Sequence, residues 1–295
     1  MIIQWYPGHM NKALKIMEKD IKIVDAIIYV LDARAPFACL NPKFDKIIGE
    51  KPIIYILNKA DLGDAKKVEA WNKYLNFGKN VCLTLNSTAS GSAKKLESAI
   101  IRACSKKVQK YKEKNIKLIL RAMVIGVPNS GKSTLVNNLS GSTKAKAANT
   151  PGVTRSTQWV RLGNQIEVLD TPGTLWPAFD NEKVAHHLAY IGSISEDVLD
   201  INELCIDFIK EIRELDKAIL ENRYNIEIEE LDEAIDILEK ICEKRGFLLK
   251  KGELDYDRGC YAIINDFKQG KLGAITLERV EDIKKLSIKD RKSKD

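Results

Sequence analysis

The chain has 295 residues, of which 44% are apolar and 30% charged, a composition typical of a globular protein with one large or two moderate domains. The longest strongly apolar run, AIIYVL, is too short to span a bilayer, and the lysine-rich N-terminus lacks a leader pattern, so neither a membrane helix nor a signal peptide is expected. Six scattered cysteines without a CxxC pair favour reduced thiols in a cytoplasmic protein over a zinc site or a disulfide framework.

Charge is distributed unevenly along the chain, although the net value is only +7. Residues 1 to 180 contain 28 basic and 14 acidic side chains, whereas residues 181 to 295 contain 20 basic and 27 acidic ones. The basic excess is densest in residues 94 to 121, where ten basic side chains accompany two acidic ones. This basic block predicts contact with a polyanion, and a lysine-rich solvated helix is the alternative explanation.

Apolar runs rich in Ile and Val alternate with helical stretches over the first 178 residues. The predicted strands cover residues 26 to 32, 52 to 57, 80 to 85, 118 to 125, 158 to 162 and 165 to 169. The predicted helices cover residues 10 to 23, 41 to 49, 64 to 76, 92 to 113 and 131 to 140. Continuous apolar strands are typical of a parallel sheet covered on both faces, so the pattern predicts an α/β fold.

Beyond about residue 180 the strand signals largely disappear. Helical patterns cover residues 182 to 191, 195 to 222, 230 to 245 and 255 to 269. We therefore predict an α/β domain over residues 1 to 178, a smaller all-helical domain over residues 179 to 283, and a basic, disordered tail over residues 284 to 295. His186 and His187 are expected on the surface of the first of these helices.

The segment GVPNSGKS, residues 126 to 133, follows a predicted strand and opens a predicted helix, which is the context of a phosphate-binding P-loop. Its glycines allow backbone N–H groups to turn towards an anion, and the helix N-terminus adds partial positive charge. The phosphate-binding candidates here are Asn129, Ser130, Gly131, Lys132, Ser133 and Thr134. Lys132 is expected to reach the β- and γ-phosphates, and the Ser133 hydroxyl to bind Mg²⁺.

The segment DTPG, residues 170 to 173, ends the strand that follows the P-loop region. Asp170 is expected to hold Mg²⁺ through water, and the Gly173 N–H to contact a γ-phosphate. Between the two motifs lies NTPGVTRST, in which Thr154 is the candidate for the second Mg²⁺-binding hydroxyl. Several hydroxyls in that segment compete for the role.

The segment NKAD, residues 58 to 61, continues an apolar strand and has the chemistry of a guanine-reading loop. Asp61 can accept hydrogen bonds from guanine N1–H and its 2-amino group, which adenine cannot donate. Asn58 is expected at the other base edge, and the Lys59 stem over the ring. Asn86 and Ser87, after the next strand, are expected to complete the base site with backbone N–H groups. GTP and GDP are therefore the predicted ligands.

The guanine loop precedes the phosphate loop, which reverses the order of an ordinary GTP-binding domain. Parallel α/β sheets bind ligands beyond the carboxyl ends of their strands, so such a site depends on where strands end and not on their order in the chain. We therefore predict a circularly permuted P-loop GTPase domain with a mostly parallel sheet. The chain leaves this domain after DTPG, so the helical domain would follow the γ-phosphate-sensing segment directly.

The permuted motif set resembles the circularly permuted GTPases, and within them the ribosome biogenesis GTPase A family. The resemblance extends from WYPGHM near the start to DFKQGKLGAITLE near the end. It implies a cytoplasmic GTPase of late large-subunit assembly that binds the precursor particle and its rRNA, with ribosomal proteins as further contacts. No membrane or DNA partner is expected. Because the C-terminal part is net acidic, its RNA contacts would depend on local basic clusters.

Hydrolysis requires a residue that positions water, and the position after the DTPG glycine is Thr174 where many GTPases have glutamine. The resemblance points to His9 in WYPGHM as the catalytic residue, orienting the water or accepting its proton. The alternative is a surface histidine in an N-terminal loop. The resemblance also implies that Asn129 helps to hold a monovalent cation, K⁺, near the phosphates.

The leading hypothesis is thus a GTPase that binds the large-subunit precursor in its GTP state and is released on hydrolysis. The missing glutamine motivates an alternative, a GTP-sensing RNA-binding module whose hydrolysis is incidental. A small-subunit assembly GTPase is a third possibility, weakened because the chain lacks the zinc-binding Cys/His cluster typical of that group.

Overall fold

A computed structural model of the chain describes residues 8–87, 91–140, 158–176, 179 and 181–283. Six strands form one sheet: Ala26–Asp32 (β1), Ile53–Asn58 (β2), Val81–Thr84 (β3), Leu120–Ile125 (β4), Gln158–Leu162 (β5) and Ile166–Asp170 (β6). Their spatial order is β3-β2-β1-β4-β6-β5, and every neighbouring pair is parallel except β5 with β6. The carboxyl ends of β1, β2, β4 and β6 therefore meet at one edge, as the permuted α/β fold requires.

Helices cover both faces of the sheet. They are Gly8–Asp20 (α1), Pro42–Ile48 (α2), Ala65–Leu75 (α3), Ser92–Ala103 (α4), Ser105–Glu113 (α5) and Lys132–Ser140 (α6). On one face α1, α2 and α3 contribute to the apolar core, with Trp71 fully buried, and on the other face α4 and α6 do so. The alternation of buried strand side chains between two cores explains the continuous apolar runs in the sequence.

The C-terminal part is helical, with Glu182–Tyr190 (α7), Ile201–Asp216 (α8), Ala218–Tyr224 (α9), Ala234–Arg245 (α10) and Tyr256–Lys268 (α11). Asp200 and Asp255 cap α8 and α11 by accepting from backbone N–H groups of the first helical turn. The apolar side chains of this helical region continue the core of the α1 face, through residues such as Tyr190 and Phe208. Among the described residues no helix is long and apolar enough to cross a membrane.

After α11 the chain returns to the sheet as a non-helical segment, residues 274–279, which we call the C-terminal strap. The Ile275 N–H donates to Leu62 O at 2.9 Å and the Leu277 N–H to Arg34 O at 2.8 Å. The Thr276 hydroxyl donates to Ala33 O at 2.9 Å. The strap thus binds the segments that follow β1 and β2.

Two predicted helices differ from the sequence expectations. The helix predicted over residues 92 to 113 is broken at Cys104, and the second part carries Lys107 to 2.5 Å from Asp25. The helix predicted over residues 195 to 222 is divided into α8 and α9, preceded by a short 3₁₀ turn. No glycine or proline marks either break, so the apolar spacing alone could not reveal them.

The placement of His187 corrects a prediction. We expected both neighbouring histidines on the helix surface, but His187 is only 1% exposed. It lies on the same face of α7 as Val184, three residues before it, and that face packs into the core. Carboxylates from α8 and the C-terminal strap accept hydrogen bonds from its ring, which offsets the cost of burying a polar side chain.

Candidate nucleotide-binding site

The phosphate loop connects β4 to α6 and wraps closely around its neighbours. Gly131 has a φ of +95°, and a Cβ there would lie 2.1 Å from the Asn58 side-chain nitrogen. Only glycine fits such an approach. The Lys132 ammonium is buried and donates to Val127 O at 2.7 Å. Burial lowers the pKa of Lys132 to about 8, although the nearby Asp170 carboxylate opposes this change.

The DTPG segment follows β6 and lies against the phosphate loop. A Cβ on Gly173 would meet the Lys132 ammonium and the Pro128 backbone at 2.8 Å, and the Thr174 N–H donates to Gly126 O at 3.3 Å. Asp170 is 6% exposed, and burial raises its pKa while the Lys132 charge lowers it. Among the described residues, Asp170 Oδ1 is a buried oxygen without a hydrogen-bond donor. An oxygen of this kind fits a hard cation.

The guanine loop contacts the same phosphate loop from the β2 side. Asn58 is 2% exposed: its Nδ2 donates to Ser130 O at 2.8 Å, and its Oδ1 accepts from the Ser87 N–H at 2.9 Å and hydroxyl at 2.6 Å. The Lys59 ammonium donates to Asn129 O at 2.8 Å. Asn58 therefore joins the guanine loop to the phosphate loop and to the segment after β3, a positioning role that its predicted place at the base edge did not include.

The remaining predicted residues have the following places. Asp61 is exposed in the short 3₁₀ turn Ala60–Leu62, which overlaps the end of the guanine loop, and Asn86 follows β3. Ser133 and Thr134 lie in the first turn of α6. Thr154 lies outside the described residues. His9 is at the start of α1, and the structure describes its backbone but not its side chain. The structure thus brings together the three motifs, and the functional role of each residue stays a prediction.

The helical region also touches the phosphate loop, which the motif analysis missed. The Asn129 Nδ2 donates to Gly192 O at 2.6 Å, and the Ser193 hydroxyl donates to Pro128 O at 2.7 Å. Gly192 and Ser193 belong to the turn after α7 and match no short motif. Their role depends on packing between distant segments, so no signal in the sequence could have revealed it.

A buried charge cluster beside the guanine loop was missed as well. Asp32, the last residue of β1, is 2.9 Å from the Lys59 ammonium and 2.8 Å from the Arg34 guanidinium. Asp32 and Arg34 are both almost fully buried. Two charged residues at the end of an apolar strand, in the segment VLDAR, are the sequence signal that could have identified the cluster.

Comparison with known proteins agrees with this arrangement. A family model described as 50S ribosome-binding GTPase matches residues 121–240. The ribosome biogenesis GTPase A of Bacillus licheniformis is 36% identical over 284 residues, which cover 96% of this chain and 100% of that protein. The chain belongs to the ribosome biogenesis GTPase A family. The protein of Thermotoga maritima with this name is 31% identical, covering 95% of this chain and 96% of that protein.

Solved structures extend the ribosome biogenesis GTPase A likeness to the fold. GDP-bound YlqF matches with a TM-score of 0.64 and 27% identity, over 90% of this chain and 99% of that one. GNP-bound YlqF from T. maritima matches with a TM-score of 0.63 and 27% identity, over 91% and 98%. This ribosome biogenesis GTPase A family member is therefore a guanine-nucleotide-binding GTPase of ribosome assembly, with a circularly permuted GTPase fold and a helical C-terminal region.

Proposed function

We propose that the protein binds the precursor of the large ribosomal subunit in its GTP state and couples hydrolysis to a late assembly step and to its own release. Family membership carries this proposal, because the matching relatives are named for ribosome biogenesis and the family model for 50S ribosome binding. The short separation in sequence between the DTPG segment, residues 170 to 173, and the start of α7 at Glu182 supports the coupling, since the helical region follows the segment that would sense a γ-phosphate.

The basic block is the proposed contact with rRNA. Nine of its ten basic side chains are exposed: Lys94, Lys95, Arg102, Lys106, Lys110, Lys112, Lys114, Lys117 and Arg121. Eight of them lie on α4, α5 and the segment leading to β4, and α4 covers the sheet face opposite α2 and α3; Arg121 lies in β4 itself. Phosphate neutralisation dominates affinity for nucleic acid irrespective of sequence, so a dense exposed cluster of lysines supports RNA as the partner.

The nucleotide chemistry proposed for the site follows from the three loops. Asp61 reads guanine, the Gly131 to Thr134 segment and Lys132 hold the phosphates, and Gly173 contacts the γ-phosphate. Ser133, Asp170 and Thr154 are the proposed Mg²⁺-binding residues. The buried Oδ1 of Asp170, which has no hydrogen-bond donor, supports the assignment of Asp170. Bound Mg²⁺ neutralises phosphate charge during phosphoryl transfer. His9 is the proposed residue that positions or deprotonates the attacking water.

K⁺ at Asn129 is proposed on the resemblance alone. The phosphate loop places Asn129 at a left-handed φ of 57°, with its Nδ2 donating to Gly192 O. That hydrogen bond orients the amide group. A comparison of GTP hydrolysis in K⁺ and in Na⁺ tests the assignment, and equal rates in both salts would refute it.

Sedimentation through a sucrose gradient with a non-hydrolysable GTP analogue tests the function. We expect the protein to migrate with large-subunit precursors in the presence of the analogue and to stay in free fractions with GDP. Migration with small-subunit precursors, or with none, would overturn the proposal. Purified large-subunit precursor should also accelerate GTP turnover, and failure to do so would favour an RNA-binding module with incidental hydrolysis.

The RNA surface is tested by a triple charge reversal, Lys106→Glu, Lys110→Glu and Lys117→Glu. Binding to the precursor should weaken, and the slope of log affinity against log salt should decrease by about two to three because three phosphate contacts are lost. The matched control is the reversal of Lys43, Lys46 and Lys66, which are exposed on α2 and α3 across the sheet. Equal losses in both variants would show that net charge alone is responsible.

A further inference from the structure

One buried carboxylate determines where the Lys59 ammonium lies. Asp32 is fully buried, and its Oδ2 is 2.9 Å from Lys59 Nζ, which also donates to Asn129 O in the phosphate loop. Arg34 donates three hydrogen bonds to the same carboxylate. Its Nε donates to Oδ1 at 2.9 Å, its Nη2 to Oδ2 at 2.8 Å, and its backbone N–H to Oδ1 at 3.1 Å. Asp32 thus has well-directed donors at both oxygens, which holds it in one orientation.

The same guanidinium reaches the helical region. Arg34 Nη1 donates to Phe267 O and to Lys268 O, both at 3.1 Å. These carbonyls belong to the last two residues of α11, where backbone acceptors lack partners within the helix and carry partial negative charge. The guanidinium also lies 5.1 Å from the centre of the Phe267 ring. A single side chain therefore joins the end of α11 to the carboxylate that holds the guanine loop.

We propose that Arg34 is a positioning residue that couples guanine-nucleotide binding to the placement of α11. This inference rests on the proposed function in one respect, the assignment of residues 58 to 61 to the base. Movement of α11 removes two acceptors from Arg34 and loosens its hold on Asp32, so Lys59 loses its fixed position beside the phosphate loop. Because coupling between two sites is reciprocal, nucleotide binding in turn restrains the end of α11.

The chemistry of the cluster explains why arginine is required. Burial raises the pKa of Asp32, and the charges of Arg34 and Lys59 outweigh it and hold that pKa well below its usual range. A lysine in place of Arg34 would keep the positive charge. It could not donate to both carboxylate oxygens and to two helix carbonyls at once, because an ammonium lacks the planar fork of a guanidinium. Arg34→Lys therefore separates the coupling from the simple neutralisation of Asp32.

The test combines GDP titration with amide hydrogen exchange, using the full chain. In the wild type, GDP should slow exchange in the peptide that covers residues 262 to 270, at the end of α11, as well as in the phosphate loop. In Arg34→Lys, GDP affinity should fall about ten-fold, and the slowing at α11 should disappear while that in the phosphate loop remains. Arg34→Gln, which also removes the charge, should lower affinity further and serves as a second variant if the first unfolds.

Arg213→Lys is the matched control. Arg213 also donates to two backbone carbonyls, those of Glu230 and Asp232, but it lies within the helical region and has no contact with Asp32. Its GDP affinity and the slowing at α11 should equal those of the wild type. An effect as large as that of Arg34→Lys would overturn the proposal, because general loosening of the helical region would then account for both.

Two other results would overturn the coupling. One is the absence of any GDP-dependent change at α11 in the wild type. The other is full retention of that change in Arg34→Lys, which would assign the connection to the contacts that Gly192 and Ser193 make with the phosphate loop. Failure of the base assignment is separately detected with Asp61→Asn. If that variant binds GDP normally, the role of residues 58 to 61 is wrong whatever Arg34 does.

Discussion

The His187 imidazole lies 2.8 Å from the Glu278 carboxylate and so joins α7, directly downstream of the DTPG segment, to the C-terminal strap. The other ring nitrogen is 2.9 Å from Glu211 on α8. Glu278 also accepts from the backbone N–H groups of Phe37 and Ala38, at 2.5 and 3.0 Å. Burial lowers the pKa of His187, but the two carboxylates outweigh burial and raise it to about 9.

The first prediction concerns stability between pH 6.5 and 9. The folded-state pKa of His187 lies above its ordinary value of 6.5, so the stabilisation is fully present below about pH 6.5 and is lost as pH rises through about 9. Its full size is on the order of 3 kcal/mol. Urea unfolding of the wild type at several pH values should show this loss. His187→Gln should be less stable at pH 6.5 and should have a flatter pH dependence over the interval.

His186→Gln is the control for that experiment. His186 is adjacent in α7, partly exposed, and 3.8 Å from a single carboxylate, Asp207. The variant should retain the wild-type loss of stability towards pH 9. The prediction is wrong if His187→Gln retains it as well. The pKa of Glu211 is lowered by the same ion pair with His187. This contribution to stability is lost on acidification below about pH 4.5, and it belongs to the same interaction, so the two contributions do not add.

The second prediction concerns Asn58. Replacing it with Leu leaves the carbonyl of Ser130 and the N–H and hydroxyl of Ser87 without their buried partner. The free energy of unfolding should fall by about 2 to 4 kcal/mol, and GDP affinity should fall as the phosphate loop loses its fixed position. Asn72→Leu, which loses contacts to β3 away from the phosphate loop, should reduce stability alone. Equal nucleotide affinity in the two variants would refute the positioning role.

The third prediction concerns base choice. Asp61→Asn replaces one of the two acceptor oxygens with an NH₂ group, which is only a donor. Two donors, this NH₂ group and a guanine N–H, would then face each other without an acceptor. GTP affinity should fall at least about a hundred-fold, and affinity for the xanthine nucleotide should rise above it. Asp64→Asn, which changes a nearby helix cap, is the control for charge. Unchanged GTP affinity in Asp61→Asn would refute the base assignment.

The fourth prediction concerns Mg²⁺. Asp170→Asn should reduce Mg²⁺-dependent GTP hydrolysis on the order of a hundred-fold, because the carboxylate that helps to hold the ion is removed. The stabilisation of the GDP complex by added Mg²⁺, measured by thermal unfolding, should also be lost. Asp25→Asn alters a carboxylate at the opposite end of the sheet, paired with Lys107, and should retain the Mg²⁺ response. A normal Mg²⁺ response in Asp170→Asn would exclude its proposed role.

The fifth prediction concerns His9. His9→Ala should reduce precursor-stimulated GTP turnover by about a hundred-fold while GDP and GTP affinities stay at the wild-type level. His186→Ala, the substitution of a histidine in the helical region, should retain stimulated turnover. If His9→Ala is stimulated normally, the attacking water is positioned by another residue. Loss of affinity together with turnover would instead assign His9 to nucleotide binding.

Local sequence patterns were sufficient for the α/β fold and the motif positions. The strands predicted over residues 26 to 32 and 158 to 162 were found with those bounds. The first is buried along its whole length, and such a strand needs a continuous apolar run. The permuted order of the motifs could be recognised from the sequence because each motif follows a strand. The carboxyl ends of parallel strands share one edge of the sheet, so the motifs meet there whatever their order. This edge holds the guanine, phosphate and DTPG loops together.

Only tertiary packing decided the contacts between distant segments. The segment EKVAHHLAY predicts His187 on the helix surface, yet the side chain is buried. Its burial is possible because α8 and the C-terminal strap bring carboxylates to it from 24 and 91 residues away in the sequence. Arg34 likewise meets the carbonyls of α11 more than 230 residues downstream. Periodicity and motifs report a residue's own segment, whereas the burial of a charge depends on partners that only the folded chain supplies.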